Sequence, residues 1–124
     1  DTPAQLSVLF CSGEDFKETQ TAIRINEEKH GLPDAILGGN DRLGIAAMRY
    51  YQDLNFGIPD DLMITGFNGF ESWRYTNPPL TTIISPAYQM GQHAGATIIR
   101  RLRTSVFARN KGLFPVRFQQ GGSA

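Results

Sequence analysis

Short apolar segments alternate with longer segments of helical period along the chain, and this alternation restricts the fold more than any other feature. Apolar runs, most of them bounded by turn-forming residues, predict strands at residues 6–11, 35–38, 62–66, 80–84 and 114–120. Segments whose apolar residues recur three and four positions apart predict helices at residues 17–29, 42–55 and 88–106. Such an alternation is typical of a mainly parallel sheet with helices on both faces. We therefore predict the α/β class.

The predicted helix at residues 42–55 is apolar over an unusually wide arc. A first stripe runs from Leu43 to Leu54, and a second stripe beside it contains Ile45, Met48 and Tyr51. A helix with so wide an apolar arc needs partners on two sides. The sheet would cover the first stripe, and we predict that a second subunit of a homodimer covers the second.

Charge and composition argue against two classes of function. Twelve Lys and Arg residues offset twelve Asp and Glu residues, so the formal net charge is zero at pH 7. Because a nucleic-acid surface needs clustered positive charge, we expect none within this chain. No apolar run approaches the roughly 18 residues of a membrane span. The first residues lack the features of a signal peptide, and the absence of an initiator Met suggests a fragment of a longer protein.

Motifs for enzyme chemistry are absent from the sequence. Cys11, His30 and His93 do not have the spacing of a zinc site, and there is no G-x-S-x-G, P-loop or G-x-G-x-x-G motif. Cys11 ends an apolar run, where a free cysteine usually packs as a small hydrophobe. We therefore expect no enzyme activity, no metal and no cofactor. A single cysteine is also compatible with a reducing cytosol.

Polar or aromatic residues follow three of the predicted strands directly. They are Glu14-Asp15-Phe16, Asn40-Asp41 and Phe67-Asn68-Gly69. Each has a structural explanation, since Phe16 could staple a helix, Asp41 could be an N-cap, and Asn68 could occupy a turn. Ligands of open α/β sheets, however, bind beyond the carboxyl ends of the strands. The three sites together therefore predict a binding crevice.

The order of motifs resembles that of the lac/gal repressor family of bacterial transcription regulators. The resemblance covers residues from about 6 to 123 and rests on Pro33-Asp34-Ala35-Ile36, Gly39-Asn40-Asp41, Ile58-Pro59-Asp60-Asp61-Leu62, Gly66-Phe67-Asn68-Gly69, Pro78-Pro79-Leu80-Thr81-Thr82-Ile83 and Tyr88-Gln89-Met90-Gly91. It implies the fold of the type I periplasmic binding proteins. In the family, two α/β lobes clasp a small effector, and an N-terminal helix-turn-helix domain, absent here, binds operator DNA.

The resemblance also implies an organisation into three parts. Residues 1–86 would form the C-terminal effector-binding lobe, residues 87–112 a crossover helix that packs on the missing N-terminal lobe, and residues 113–124 a final returning strand. Without that lobe, the face of the crossover helix that carries Gly91, Ala94, Gly95, Ile98 and Leu102 has no cover. The helix would fold back on its own sheet, contact another copy of the chain or be poorly ordered, and we favour the contact with another copy. We expect the fragment alone to bind effector weakly or not at all.

By the same resemblance, four positions contact the effector. Phe16 would stack on it, and Asn40 would lie beside it; Asp41, next to Asn40, is a further candidate from its position after the second predicted strand. Asn68 stands where the family's G-F-D-D pattern has a carboxylate, and Ser85 stands where Gln is frequent. These departures favour a sugar derivative over a plain neutral sugar, because the bidentate grip of a carboxylate on a diol is lost. Gly121 replaces a common Arg.

Two functions are compatible with this fold. The first is the ligand-sensing part of a cytoplasmic, dimeric transcriptional regulator that responds to a small sugar or sugar derivative. The alternative is a periplasmic solute-binding protein of a sugar ABC transporter, which would be monomeric and exported. The second apolar stripe and the Pro78–Ile83 motif favour the regulator.

Overall fold

The computed structural model describes residues 5–11, 15–106 and 112–124. Their helices and strands follow in the order α1 (Phe16–His30), β1 (Ala35–Leu37), α2 (Asp41–Asp53), β2 (Met63–Thr65), a 3₁₀ helix (Glu71–Tyr75), β3 (Thr82–Ile84), α3 (Ala87–Thr104) and β4 (Arg117–Gln119). Helices alternate with strands as predicted, and the α/β class is confirmed.

The strands join through parallel pairing in the middle and antiparallel pairing at one end. β1 and β2 are parallel, with Ile36 opposite Ile64, and a single parallel bridge between Thr65 and Thr81 connects β2 to the start of β3. β4 pairs with β3 in the antiparallel sense. Because β1, β2 and β3 run in the same direction, their carboxyl ends lie at a common edge.

The core lies around α2. Its buried apolar side chains come from α1, α2, β2, the 3₁₀ helix and the loops beside them: Ile23, Ala47, Met48, Tyr51, Leu62, Ile64, Trp73 and Leu80. Met48 is 2% exposed and Tyr51 is fully buried. The structure thus corrects the expectation that these two side chains face a second subunit, because the chain itself covers them. Ile45, the third residue of that stripe, is half-buried against the same core.

One polar contact ties α1 to α2 beside this core. The hydroxyl of Tyr50 donates to Glu27 Oε2 at 2.8 Å. Burial, followed by the hydrogen bond and the negative charge of Glu27, raises the pKa of Tyr50 to about 12. The phenol therefore keeps its proton, and its role as donor, at neutral pH.

Truncation of Met48 tests whether this side chain belongs to the core or to an interface. We expect Met48→Ala to lower the free energy of unfolding by about 2–5 kcal/mol, as large-to-small changes do in a packed core. The matched control is the neighbouring Arg49→Ala, which removes only an exposed ion pair with Asp53 and should cost less than about 1 kcal/mol. Urea unfolding at several protein concentrations gives both values. A loss that vanishes at high concentration would instead place Met48 at a subunit contact.

The last residues of the chain connect β2 and the start of β3 by hydrogen bonds. Ser123 is fully buried, and its hydroxyl accepts from the backbone nitrogen of Thr81 at 2.9 Å and donates to the carbonyl of Ile64 at 2.5 Å. At Gly121 a Cβ would overlap the carbonyl of Pro79. A side chain at residue 121 would therefore require the backbone of Pro79 and Leu80 to move.

We predict that Ser123→Ala destabilises the protein by about 1–3 kcal/mol, because it leaves a buried N–H and a buried carbonyl without a partner. Ser72→Ala, at an exposed position of the 3₁₀ helix, serves as the control. The shift in the midpoint of urea unfolding measures the difference. Equal midpoints for the two variants would show that the Ser123 hydroxyl contributes nothing to stability.

Residues 6–11 do not form the predicted strand. They have no regular secondary structure, and the side chains of residues 6–10 are exposed, with Phe10 at 93%, while Cys11 is half-buried. The segment lies along α1, where the hydroxyl of Ser7 donates to Asn26 Oδ1 at 2.6 Å. A strand requires a neighbour for its backbone hydrogen bonds, and within the described ranges no strand pairs with this segment.

α3 extends from the core with its apolar face uncovered. None of its residues is buried, and Ile98 and Leu102 are 58% and 78% exposed. Gly91 and Gly95 have open space beside them. This face belongs to the predicted crossover segment at residues 87–112, of which residues 107–111 lie outside the described residues; that the segment packs on another lobe stays a prediction. Among the described helices, none is long and apolar enough to span a membrane.

Candidate ligand-binding site

Three of the predicted ligand-binding residues lie just beyond the carboxyl ends of β1, β2 and β3. Asn40 follows β1, Asn68 follows β2 and Ser85 follows β3. Since these strands run in the same direction, the topology brings the three side chains to one edge. All three are half-buried, so each is held by the fold while part of its surface stays accessible to a ligand.

Asn40, rather than Asp41, is the N-cap of α2. Its backbone is extended, with φ −152°, and its Oδ1 accepts from the backbone nitrogen of Leu43 at 2.9 Å. The expectation that Asp41 fills this role is therefore wrong by one residue. The cap uses the carbonyl of the Asn40 side chain, and the amide nitrogen of the same group can donate to a ligand hydroxyl.

Asp41 is the first residue of α2 and is fully buried. Its Oδ2 accepts from the backbone nitrogen of Phe70 at 2.6 Å, and its Oδ1 accepts from the hydroxyl of Thr82. Its own backbone nitrogen donates to the carbonyl of Phe67 at 2.9 Å. Both carboxylate oxygens are thus bonded within the protein, which corrects the interpretation of Asp41 as a ligand contact. It positions the loop at residues 66–70.

The loop at residues 66–70 passes close to the start of α2. A Cβ at Gly66 would lie 2.5 Å from Asp41 Oδ1 and 2.8 Å from Leu80 Cδ2, so no side chain fits there. Asn68 and Gly69 both have left-handed backbone conformations, with φ 94° and 69°. Asn and Gly are residues that adopt this region readily. The sequence Gly66-Phe67-Asn68-Gly69 therefore suits the loop at both of its demanding points.

Asn68 and Ser85 are in direct contact. The backbone nitrogen of Ser85 donates to the carbonyl of Asn68 at 3.2 Å, and the Ser85 hydroxyl lies 3.5 Å from Asn68 Oδ1. A parallel bridge between Asn68 and Ile84 holds the same loop against the end of β3. The two side chains can therefore offer a carboxamide and a hydroxyl to one small polar molecule.

Phe16 starts α1, and its position relative to Asn40, Asn68 and Ser85 follows from no hydrogen bond between them among the described residues. Asp15 caps the helix by accepting from the backbone nitrogen of Lys17 at 2.8 Å. The Phe16 side chain is 40% exposed. Glu14, predicted at the same place, lies outside the described residues. The role of Phe16 as a stacking residue remains a prediction.

The candidate site lies apart from the two concavities beside α1. Two concavities of about 350 and 330 Å³ lie along α1, one beside residues 5–9 and the other beside Tyr50, and neither is lined by the predicted ligand-binding residues. Within the described ranges, no group of His, Cys, Asp and Glu side chains could hold a metal ion. The chemistry available at this edge is hydrogen bonding by neutral amide and hydroxyl groups.

The sequence interpretation missed Thr82 and Ser123, two buried hydroxyls that organise the region. Thr82 donates to Asp41, and Ser123 connects the backbones of β2 and β3. A signal for Thr82 existed, because two threonines in succession at the start of an apolar strand place one hydroxyl on each face. Nothing in the local pattern around Ser123 indicates burial.

Removal of the Asp41 carboxylate tests its role in positioning the loop. We expect Asp41→Ala to lower the free energy of unfolding by about 1.5–3 kcal/mol, since it strips the acceptor from Phe70 and Thr82. Asp41→Asn should recover part of this loss, because an amide can accept from Phe70 and donate to the Thr82 hydroxyl. Asp53→Ala, at an exposed position, is the control. If all three variants unfold at the same urea concentration, Asp41 does not hold the loop.

Comparison with known proteins identifies the family. Residues 4–124 match the family described as periplasmic binding protein-like domain. The chain belongs to this family. The match spans nearly the whole sequence and confirms the resemblance to the lac/gal repressors, whose effector domains share this fold.

Two curated relatives are repressors. The ribose operon repressor of Haemophilus influenzae is 34% identical over 89 residues, which make up 72% of this chain and 27% of the relative. The HTH-type transcriptional repressor PurR of Vibrio vulnificus is 32% identical over 71 residues, or 57% of this chain and 21% of the relative. The chain thus spans about a quarter of the length of these relatives.

A solved structure supports the same fold. A protein from Actinobacillus succinogenes superposes with a TM-score of 0.80 at 27% sequence identity. The superposition covers 89% of this chain and 41% of that one. The fold of the described residues therefore corresponds to less than half of a larger chain in this neighbour.

Proposed function

We propose that the chain is the ligand-sensing part of a bacterial transcriptional regulator that responds to a small sugar or sugar derivative. The observation that carries this proposal is the placement of Asn40, Asn68 and Ser85 at one edge of the sheet. Neutral amides and hydroxyls both donate and accept, which matches the hydroxyl groups of a sugar. The ribose operon repressor among the relatives supports the same ligand class.

The regulator is favoured over the transport protein because the two relatives described above are both repressors. Operator DNA would be bound by a helix-turn-helix region outside this chain, in the remaining three quarters of the full protein. We place the full protein in the cytoplasm and assign it no catalytic role. Loss of DNA binding on addition of ligand, or its gain, would then be the output of the sensor.

The ligand would be held by polar groups at the edge and by one aromatic ring. Asn40 offers its amide nitrogen, since its carbonyl caps α2. Asn68 and Ser85 offer the facing pair of groups described above. Phe16, at the start of α1, would supply an apolar face for the C–H surface of the ring. The side chains of these residues are uncharged, so each of these contacts is of the neutral type.

The full protein is proposed to be a homodimer, with a contact surface different from the predicted one. Of the second stripe on α2, only Ile45 retains exposed area, because Met48 and Tyr51 belong to the core. Of the predicted interface residues, we therefore retain only Ile45, which would lie at the rim of the dimer contact. Sedimentation of the full protein determines the oligomeric state directly.

A phenylalanine pair tests the ligand site. In the full-length protein, we expect a saturating amount of the ligand to raise stability by about 2.7 kcal/mol at 100 times its Kd. Phe16→Ala should reduce this thermal shift, because it removes the stacking face, and should leave DNA binding in a gel-shift assay unchanged. Phe10→Ala, which changes a ring that is 93% exposed, should leave both unchanged.

The screen would start with D-ribose, other pentoses and hexoses, and their acid and phosphate derivatives. A shift with one of these that Phe16→Ala removes and Phe10→Ala retains supports the site. Equal loss in both variants would indicate general destabilisation, and a shift untouched by either would exclude Phe16 from the site.

A further inference from the structure

The loop that presents Asn68 contains the one Asn-Gly pair of the sequence, Asn68-Gly69. A glycine after asparagine leaves its backbone nitrogen unhindered, because there is no Cβ beside it. That nitrogen can then reach the carbonyl carbon of the preceding side chain and close a five-membered ring. Whether a folded protein allows this reaction depends on how tightly the two groups are held.

The fold holds the backbone around this pair but leaves both reacting groups without strong partners. Phe67 and Phe70 are bonded to Asp41 on either side. Among the described residues, however, the backbone nitrogen of Gly69 donates to no acceptor. The Asn68 carboxamide has a single weak contact, the Ser85 hydroxyl at 3.5 Å. Both residues are half-buried, so water reaches them.

We propose that Asn68 is a site of spontaneous deamidation in the folded protein, and that the reaction converts a neutral ligand-binding group into a carboxylate. The deamidation itself is inferred from the structure of the loop at residues 66–70. The consequence for ligand binding rests on the proposed function. Nothing beyond water is required as a co-reactant.

The reaction has two steps. The Gly69 nitrogen gives its proton to hydroxide or water and bonds to Cγ of Asn68, and the bond from Cγ to the amide nitrogen breaks, releasing ammonia that takes up a proton. Water then adds to one of the two carbonyls of the ring. Opening at Cγ restores the normal backbone and leaves an aspartate side chain. Opening at the backbone carbonyl leaves an isoaspartate, with an additional methylene in the main chain.

The two products differ in their effect on the loop. Aspartate keeps the backbone, and Asp tolerates a positive φ almost as well as Asn does. Phe67 and Phe70 both form hydrogen bonds with Asp41, and isoaspartate lengthens the main chain between them. It should therefore weaken the hydrogen bond from Phe70 to Asp41. The aspartate form therefore retains the site, while the isoaspartate form lowers its stability.

The aspartate product changes what the site can bind. A carboxylate accepts from two adjacent hydroxyls and forms charge-assisted bonds, which are stronger than neutral ones. Relative to Asn68, this favours a neutral diol such as D-ribose by about tenfold in Kd. It disfavours acidic sugar derivatives through repulsion. Deamidation thus shifts ligand preference within one protein.

Peptide mass spectrometry of the aged full-length protein tests the proposal. The folded protein is incubated at neutral and at mildly alkaline pH, and the conversion of Asn68 is followed over time. Asn55 is an internal control, because it is exposed and also has a positive φ of 65°, yet Phe56 follows it. We expect Asn68 to convert several-fold faster than Asn55, with both rates higher at alkaline pH. Asn68→Gln, which would need a larger ring, should abolish conversion.

Conversion of Asn68 no faster than that of Asn55 would overturn the proposal. Asn68→Asp reproduces the aspartate product, and calorimetry with D-ribose should show tighter binding than for Asn68. Equal affinities of the two forms would overturn the shift in preference. If neither form binds any sugar while Asn68 still converts, the ligand class of the proposed function is wrong and the modification site stands.

Discussion

The described structure depends most on the hydrogen bonds that the buried carboxylate of Asp41 accepts. A charge without water is very costly unless hydrogen bonds compensate it, and the donors come from two different parts of the chain, the loop after β2 and the strand β3. Neither donor lies near Asp41 in sequence. The start of α2, the loop and β3 must therefore assemble together. Assembly of this region is cooperative, and the candidate site is a product of the same contacts.

Short-range features were predictable from sequence, and features decided by distant partners were not. α2 and the strands β1 to β3 lie within two residues of their predicted bounds, because period and turn residues are local properties. The N-cap differed by one residue since Asn and Asp are both good caps. The donors that decide which of them turns inward, Phe70 and Thr82, lie 29 and 41 positions away from Asp41. Residues 6–11 have the composition of a strand, but pairing depends on a neighbour.

The same distinction between local features and distant partners applies to the candidate site. That Asn40, Asn68 and Ser85 share an edge follows from strand direction, which an alternating sequence already implies. The burial of Asp41, Met48 and Tyr51 depends on which surface of the protein covers each side chain. The period of the apolar residues shows how much apolar area a helix has, but not which surface packs on it. The uncovered face of α3 is the complementary case. Its apolar residues are consistent with a chain that spans about a quarter of its relatives.

Asn40 has two duties, and they constrain the site unequally. Its carbonyl satisfies a backbone donor at the start of α2, so most replacements there would fray the helix before they altered recognition of a ligand. Asn68 and Ser85 have no comparable duty in a helix. Exchange of the residues after β2 and β3, within the small set that tolerates the positive φ at residue 68, can therefore change specificity without loss of the helix cap at Asn40. The edge of the sheet thus combines one fixed point with two adjustable ones.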